Sequence, residues 1–393
     1  NFQINRNRIF HQQCNMANND GHANIKNMNN IQKARENGQS IWLDSISRQM
    51  LISGELQKFI ELGVTGVTSN PSIFDKALAE SDTYDKSLIE YAKDGANRET
   101  IFERLAVEDI RDAADVFRPI YDRNHNQDGY VSIEVSPVLA HHTEGTIIEA
   151  RRLWAAINRP NVMIKVPGTP AGIPAIKTLI SEGINVNVTL LFSIDAYTAA
   201  AHAYIEGLTQ FAQSGKGMPS TVASVASFFV SRVDTSVDNA LPQEHELQGK
   251  IGTANAKLAY GKFNEIFNRN LGGGGSFFPL HTTGAQVQRP LWASTGVKNP
   301  LYPDTMYIDE LMGPDTVNTI PEATMTAFED HGHPGSNLTV GYDKARSEMK
   351  ALAEVGVSID SITHDLLIAG VKTFADSYQS LLNRIDKKLQ VLR

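Results

Sequence analysis

Cysteine is nearly missing from this chain: Cys14 is the only one among 393 residues. No intramolecular disulfide can form, which excludes a disulfide-stapled fold and makes a reducing, cytoplasmic location the expectation. Long apolar runs are missing as well. No stretch approaches the roughly 18 residues a spanning helix needs, so no membrane association is expected, and the first residues lack a secretory apolar core. Basic clusters are also absent. Lys and Arg number 36 against 44 Asp and Glu, for a net charge of −8, and nucleic acid is not an expected partner. A few well-placed cations can still hold a phosphate locally. Three apparent motifs fail for want of companions. No ligand set forms around His141 and His142, or around His331 and His333. The glycines at 272–275 lack the lysine and hydroxyl of a phosphate loop. The Asp- and Asn-rich stretch after Asp122 puts Val135, not Glu, where a calcium loop needs its bidentate ligand.

What the chain does have is apolar residues, at 41%, enough for a large core. Residues 1–37 read as a flexible Asn-rich extension, with Met16 a candidate start. From 38 to 393, short strand-like runs alternate with amphipathic helical stretches. The runs fall at 41–44, 64–70, 131–135, 162–166, 184–190, 221–230, 290–294 and 305–308. Two further helices are expected at 343–355 and 366–385. This rhythm predicts a single parallel (β/α)8 barrel with additional C-terminal helices.

Parallel strands covered on both faces should be nearly all apolar. These break the rule in phase. Ser132 and Glu134 share a parity opposite Ile133 and Val135. Asn185, Asn187 and Thr189 oppose Val186 and Val188, and Met163 and Lys165 oppose Val162, Ile164 and Val166. Trp42 shares a face with Asp44, Ser227 with Phe229, and Trp292 with Ser294. The polar members, together with Asn70, are expected to point into the barrel mouth at the C-terminal ends of the strands, where this fold carries its chemistry.

Lys165 is the candidate nucleophile. Burial removes its charge from water and favours the neutral amine that attacks a carbonyl; the plain alternative is a lysine snorkelling from a strand end. Glu134, on a flanking strand, suits proton transfer during loss of water from the adduct, with Thr189 orienting that water. Asp44 suits the base needed when a carbon–carbon bond breaks. Either carboxylate could instead serve only as an ion-pair partner of Lys165. Asn187 could bind a substrate hydroxyl. Arg232 could grip phosphate or pair with Asp234, and Ser294 with Lys298 lies in the loop after the seventh strand, a common phosphate position. The lysine imine is its own electron sink, so neither metal nor organic cofactor is expected.

Several linked stretches resemble the transaldolase family, in its longer bacterial-type subgroup. They are Ile41-Trp42-Leu43-Asp44-Ser45, Gly66-Val67-Thr68-Ser69-Asn70-Pro71, Val131-Ser132-Ile133-Glu134-Val135, Ile164-Lys165-Val166-Pro167-Gly168-Thr169, Asn185-Val186-Asn187-Val188-Thr189-Leu190, and Arg289-Pro290-Leu291-Trp292-Ala293-Ser294. The resemblance implies a (β/α)8 barrel that moves dihydroxyacetone between sugar phosphates. In that reading Lys165 forms the Schiff base, Asp44 is acid and base at the cleaved bond, and Glu134 and Thr189 hold a water. Asn70, Asn187 and Ser227 bind donor hydroxyls, and Arg232 and Ser294 bind phosphate. Shorter relatives carry a second arginine where this chain has Gly296, with Lys298 as its replacement. The family is often dimeric, so a homodimer is an expectation, although no stretch specifies an interface. The alternatives are a Schiff-base aldolase acting on fructose 6-phosphate and a catalytically inactive sugar-phosphate-binding barrel.

Overall fold

The computed structural model describes residues 28–267 and 277–392. Cys14, Met16, most of the Asn-rich extension and the glycines at 272–275 lie outside the described residues. Eight strands close into a barrel in chain order, every neighbouring pair parallel: β1 (Gln39–Leu43), β2 (Gly66–Val67), β3 (Val131–Glu134), β4 (Val162–Pro167), β5 (Val186–Leu191), β6 (Ser224–Phe229), β7 (Arg289–Ala293) and β8 (Thr316–Ile320). Helices lie between the strands and outside them, so the expected (β/α)8 architecture is the observed one. Among the described residues no helix is long and apolar enough to cross a membrane.

Each connecting helix forms where apolar residues recur every three or four positions. In Thr143–Ile157, Ile147, Ala150, Leu153 and Ile157 are buried, a stripe that faces the sheet. His142 begins that helix by accepting the Gly145 N–H on its Nδ1 at 2.8 Å, which satisfies one of the orphan donors of the first turn. Asn158 ends it in the left-handed conformation, φ 52°.

Alternation along the strands divides the core. Ile133, Ile164, Val186, Val188 and Phe228 pack outward with the helices. Trp42, Met163, Val225, Phe229, Leu291 and Val317 fill the inside. Trp42 fits because β2 offers Gly66 opposite it: a Cβ there would stand 2.7 Å from the indole. At the floor, the indole N–H donates to Asp128 Oδ1 at 2.9 Å.

Three readings need correction. The eighth strand is Thr316–Ile320, and residues 305–308 instead open a short helix, Met306–Glu310. There Thr305 Oγ1 donates to Asp309 Oδ2 at 2.7 Å, and the Asp309 N–H returns to Thr305 O. Local hydrogen bonding wins over a β-branched and aromatic composition. Second, residues 30–36 are not tail. Asn30–Glu36 is a helix with a full capping box on Asn29, buries Ile31 and Ala34, and is tied by Asn30 Nδ2 to Phe328 O at 2.7 Å. Third, Trp292 faces the helices, edge-on to Phe228, while Leu291 and Ala293 face inward. Ser294 escapes this parity because it lies past the strand with φ 54°.

The C-terminal helix, Ile359–Leu392, packs against helices Pro71–Glu80, Asp85–Lys93 and Arg98–Arg123, and also against Ser231–Ala240 and β5. Arg384 with Asp75, Lys388 with Asp85 at 2.8 Å and Asp386 with Arg98 at 2.8 Å fasten its last third.

Candidate active site

The strand register assembles the centre of the site. Glu134 on β3 pairs with Lys165 on β4, and Lys165 pairs with Asn187 on β5. All three share the inward parity, so they form one layer across three adjacent strands. Lys165 Nζ lies 3.8 Å from Glu134 Oε2, with the two side chains 7% and 4% exposed. It also donates to Ser69 O at 3.2 Å. Apart from that ion-pair approach, neither Glu134 oxygen has a hydrogen-bond partner among the described residues, and neither does Thr189 Oγ1. Buried polar atoms seldom go unpaired, and clustered ones mark a place where a water or reactant belongs. Burial pushes the Glu134 carboxyl from 4.5 up to about 7; Lys165 opposes the rise and Asp44 adds to it.

Asp44 follows β1 and enters the same mouth. Burial raises its carboxyl, while Lys165, a hydrogen bond from Thr68, and the charges of Lys298 and Arg232 pull the other way. Thr68 Oγ1 donates to Asp44 Oδ1 at 2.7 Å and meets Thr319 Oγ1 at 2.6 Å. A hydroxyl has one proton. With that of Thr68 on Asp44, Thr319 must donate to Thr68, and the chain fixes the carboxylate from two strands.

Asn187 is fully buried. Its Nδ2 donates to Ser132 Oγ at 3.0 Å and its Oδ1 accepts from Ser227 Oγ at 2.6 Å, so its orientation is set before any ligand arrives. Asn70 Oδ1 caps helix Pro71–Glu80 by accepting the Ile73 N–H at 3.1 Å, which fixes the orientation of its amide beyond the end of β2. Phe229 packs on Phe192, ring centroids 5.1 Å apart, and carries the Arg232 guanidinium 5.2 Å above its own ring.

Arg232 does not pair with Asp234. That carboxylate accepts instead from Gly252 N at 2.6 Å and Tyr307 Oη at 2.8 Å. Burial lowers the Arg232 guanidinium below its ordinary value, with Asp44 opposing. Ser294 Oγ and Ser231 Oγ meet at 2.9 Å beside it. A Cβ on Gly296 would stand 3.8 Å from Lys298 Nζ, so the exposed Lys298 side chain reaches back over Gly296.

Residue-by-residue reading passed over Thr68, Thr319, Ser69 and Phe374. The Phe374 ring lies 5.7 Å from Lys165 Nζ. Thr68 and Ser69 lie in the stretch 66–71, where Thr68 shares the parity of Asn70. Thr319 belonged to the strand that was misplaced. Phe374 arrives from a distant helix and carried no local signal.

An amine shut inside a parallel barrel beside two carboxyl groups is an arrangement suited to capturing a carbonyl compound. Comparison with known proteins narrows that reading. The family model described as Transaldolase/Fructose-6-phosphate aldolase matches residues 41–385. A protein named Transaldolase from Thermobifida fusca is 47% identical over 366 residues, 91% of this chain and 98% of that protein. Another of that name from Thiobacillus denitrificans is 48% identical over 354 residues, 88% of this chain and 97% of its own length. One named Transaldolase 2, from a Nostoc species, is 43% identical across 93% of this chain and 99% of its own. The chain belongs to the transaldolase/fructose-6-phosphate aldolase family.

Proposed function

We propose that the chain is a transaldolase, transferring a dihydroxyacetone unit from sedoheptulose 7-phosphate or fructose 6-phosphate to glyceraldehyde 3-phosphate or erythrose 4-phosphate. The observation that carries this reading is the Lys165 amine, buried 3.8 Å from Glu134. Neutral Lys165 adds to the donor ketone: a C–N bond forms and the carbonyl oxygen takes a proton. Glu134 gives its proton to the departing hydroxyl, with Thr189 steering the water that leaves, and an iminium results. Asp44 then removes the proton of the neighbouring hydroxyl. The carbon–carbon bond breaks, its electrons enter the iminium, and the aldose phosphate leaves an enamine on Lys165. The acceptor aldehyde takes the enamine carbon, Asp44 returns the proton, and water held by Glu134 releases the new ketose. Asn70, Asn187 and Ser227 bind hydroxyls; Arg232, Ser294 and Lys298 hold the phosphate. This chemistry asks for no metal or organic cofactor. A cytoplasmic location, on the single cysteine, and a homodimer, on family habit, complete the proposal.

The test is a coupled assay. Purified protein given sedoheptulose 7-phosphate and glyceraldehyde 3-phosphate should yield erythrose 4-phosphate and fructose 6-phosphate in equal amounts. Cleavage of fructose 6-phosphate that runs as fast without an acceptor as with one would point to an aldolase, and no turnover of either kind to a binding barrel.

A further inference from the structure

We infer that Phe374, from the C-terminal helix, is the residue that makes this site transfer its three-carbon unit rather than lose it to water; the inference rests on the lysine-imine reading above. Phe374 is 6% exposed and belongs to the hydrophobic cluster that holds the barrel-interior residues Met163 and Phe229 together with Leu190, Phe192 and Val237 of a neighbouring helix. Its ring stands 5.7 Å from Lys165 Nζ, within the range at which an aromatic face favours a cation. No other described aromatic ring holds a cation–π position on this amine.

The position of the ring is built rather than incidental. One turn earlier, Gly370 lets the helix approach the mouth: a Cβ there would stand 3.0 Å from Leu190 Cδ2 and 3.6 Å from Phe192 Cε2. Leu190 directly follows Thr189 and has φ 60°, a rare conformation for a residue with a Cβ, at the point where the β5–β6 register shifts. The irregularity turns the Leu190 side chain to the helix. Residues four apart share a helix face, so the contact at Gly370 brings Phe374 over Lys165. Beyond it, Ser377 Oγ accepts from Ser72 Oγ at 2.8 Å, and the ion pairs of Arg384, Asp386 and Lys388 fix the helix to three others. The ring is therefore a fixed wall.

The wall acts on the enamine that remains once the aldose phosphate has gone. To escape as free dihydroxyacetone, the enamine carbon must first take a proton, restoring the iminium. One water then adds across C=N, its oxygen bonding to carbon and its proton balance returning to nitrogen, and the C–N bond breaks. The acceptor aldehyde competes for that same carbon. A ring over the amine denies bulk water the first proton transfer, so the intermediate waits for an aldehyde. Phe374 needs no contact with the transferred hydroxyls and acts as a positioning residue.

The test compares Phe374→Leu and Phe374→Ala with the unaltered protein. Each is given fructose 6-phosphate alone and then with erythrose 4-phosphate, and free dihydroxyacetone is measured against transfer product. The ratio of release to transfer should rise from Phe to Leu to Ala, by about tenfold or more in Phe374→Ala, the change that one lost water-excluding contact worth about 1.4 kcal/mol produces. A structural role alone would lower both rates together and leave the ratio unmoved. If Phe374→Ala does not fold, Phe374→Leu decides, with a rise of about threefold expected. An unchanged ratio in the folded variants overturns the inference. Borohydride labelling of Lys165 in the same samples separates the two failures: labelling with an unchanged ratio sinks the role of Phe374 alone, whereas no labelling in the unaltered protein sinks the imine reading beneath it.

Discussion

Replacing Glu134 by Gln perturbs the site where its electrostatics are most unusual. The carboxyl is pushed from 4.5 to about 7 by burial, beside an amine 3.8 Å away. Below about pH 7 the carboxyl holds its proton, the form that protonates the departing hydroxyl, and as pH rises through 7 that proton is lost. The limb that Glu134 contributes to kcat/KM should therefore fall with rising pH, with its midpoint near 7, and at pH 8 the unaltered protein should retain about one-tenth of its plateau. A carboxyl at its ordinary value would place that limb about two and a half units lower, and the acid form would already be spent at pH 7. Glu134→Gln keeps the shape and removes the titration. The limb should leave the region of pH 7, and kcat should fall about 10²- to 10⁴-fold, the usual worth of a positioned acid–base group. Initial rates in the coupled assay from pH 5.5 to 8.5 read both effects. A variant within threefold of the parent, or one that keeps the limb at pH 7, would refute the reasoning.

Three further predictions follow from other parts of the site. Asp44→Asn should still form the imine, since Lys165 and Glu134 are untouched, but should lose carbon–carbon cleavage; trapping with borohydride together with a rate below about one-hundredth of the parent is the expected pair of results. Arg232→Ala removes a charge-assisted grip worth about 1.5–3 kcal/mol, so KM for phosphorylated donors should rise by about ten- to a hundredfold with kcat much less affected. Gly66→Ala forces a Cβ to within 2.7 Å of the Trp42 indole and should cost about 1–3 kcal/mol of stability in denaturant unfolding; an unchanged midpoint would show that the interior has room the geometry denies.

The sequence carried the inside of the barrel well and its rim less well. Strand phase exposed Glu134, Lys165, Asn187, Thr189 and Ser227, because a polar residue on one parity of an otherwise apolar strand has only the interior to face. That signal stops where strands stop. Ser294 obeys its left-handed backbone rather than alternation, and so Trp292 was read with the wrong face. Strand β8 hid because only Val317 and Ile320 in Thr316-Val317-Asn318-Thr319-Ile320 are aliphatic. Its Asn318 is of a residue type depleted in strands, yet it is buried and accepts from Thr295 Oγ1 at 2.9 Å. Thr319 and its link to Asp44 through Thr68 vanished with that strand. The helix at Asn30–Glu36 was masked by the polar composition around it, although Asn29 and Gln32 spell its capping box. Phe374 could not be found by any local rule. It lies 209 positions after Lys165 in the sequence, and only the packing of Gly370 on Leu190 brings it over the amine.

Borohydride reduction of the protein mixed with fructose 6-phosphate, followed by peptide mass mapping, tests the central claim most directly. The account predicts loss of activity together with one three-carbon adduct on the peptide carrying Lys165, and neither adduct nor activity in Lys165→Ala. An adduct on another lysine, or full activity after reduction, would contradict it.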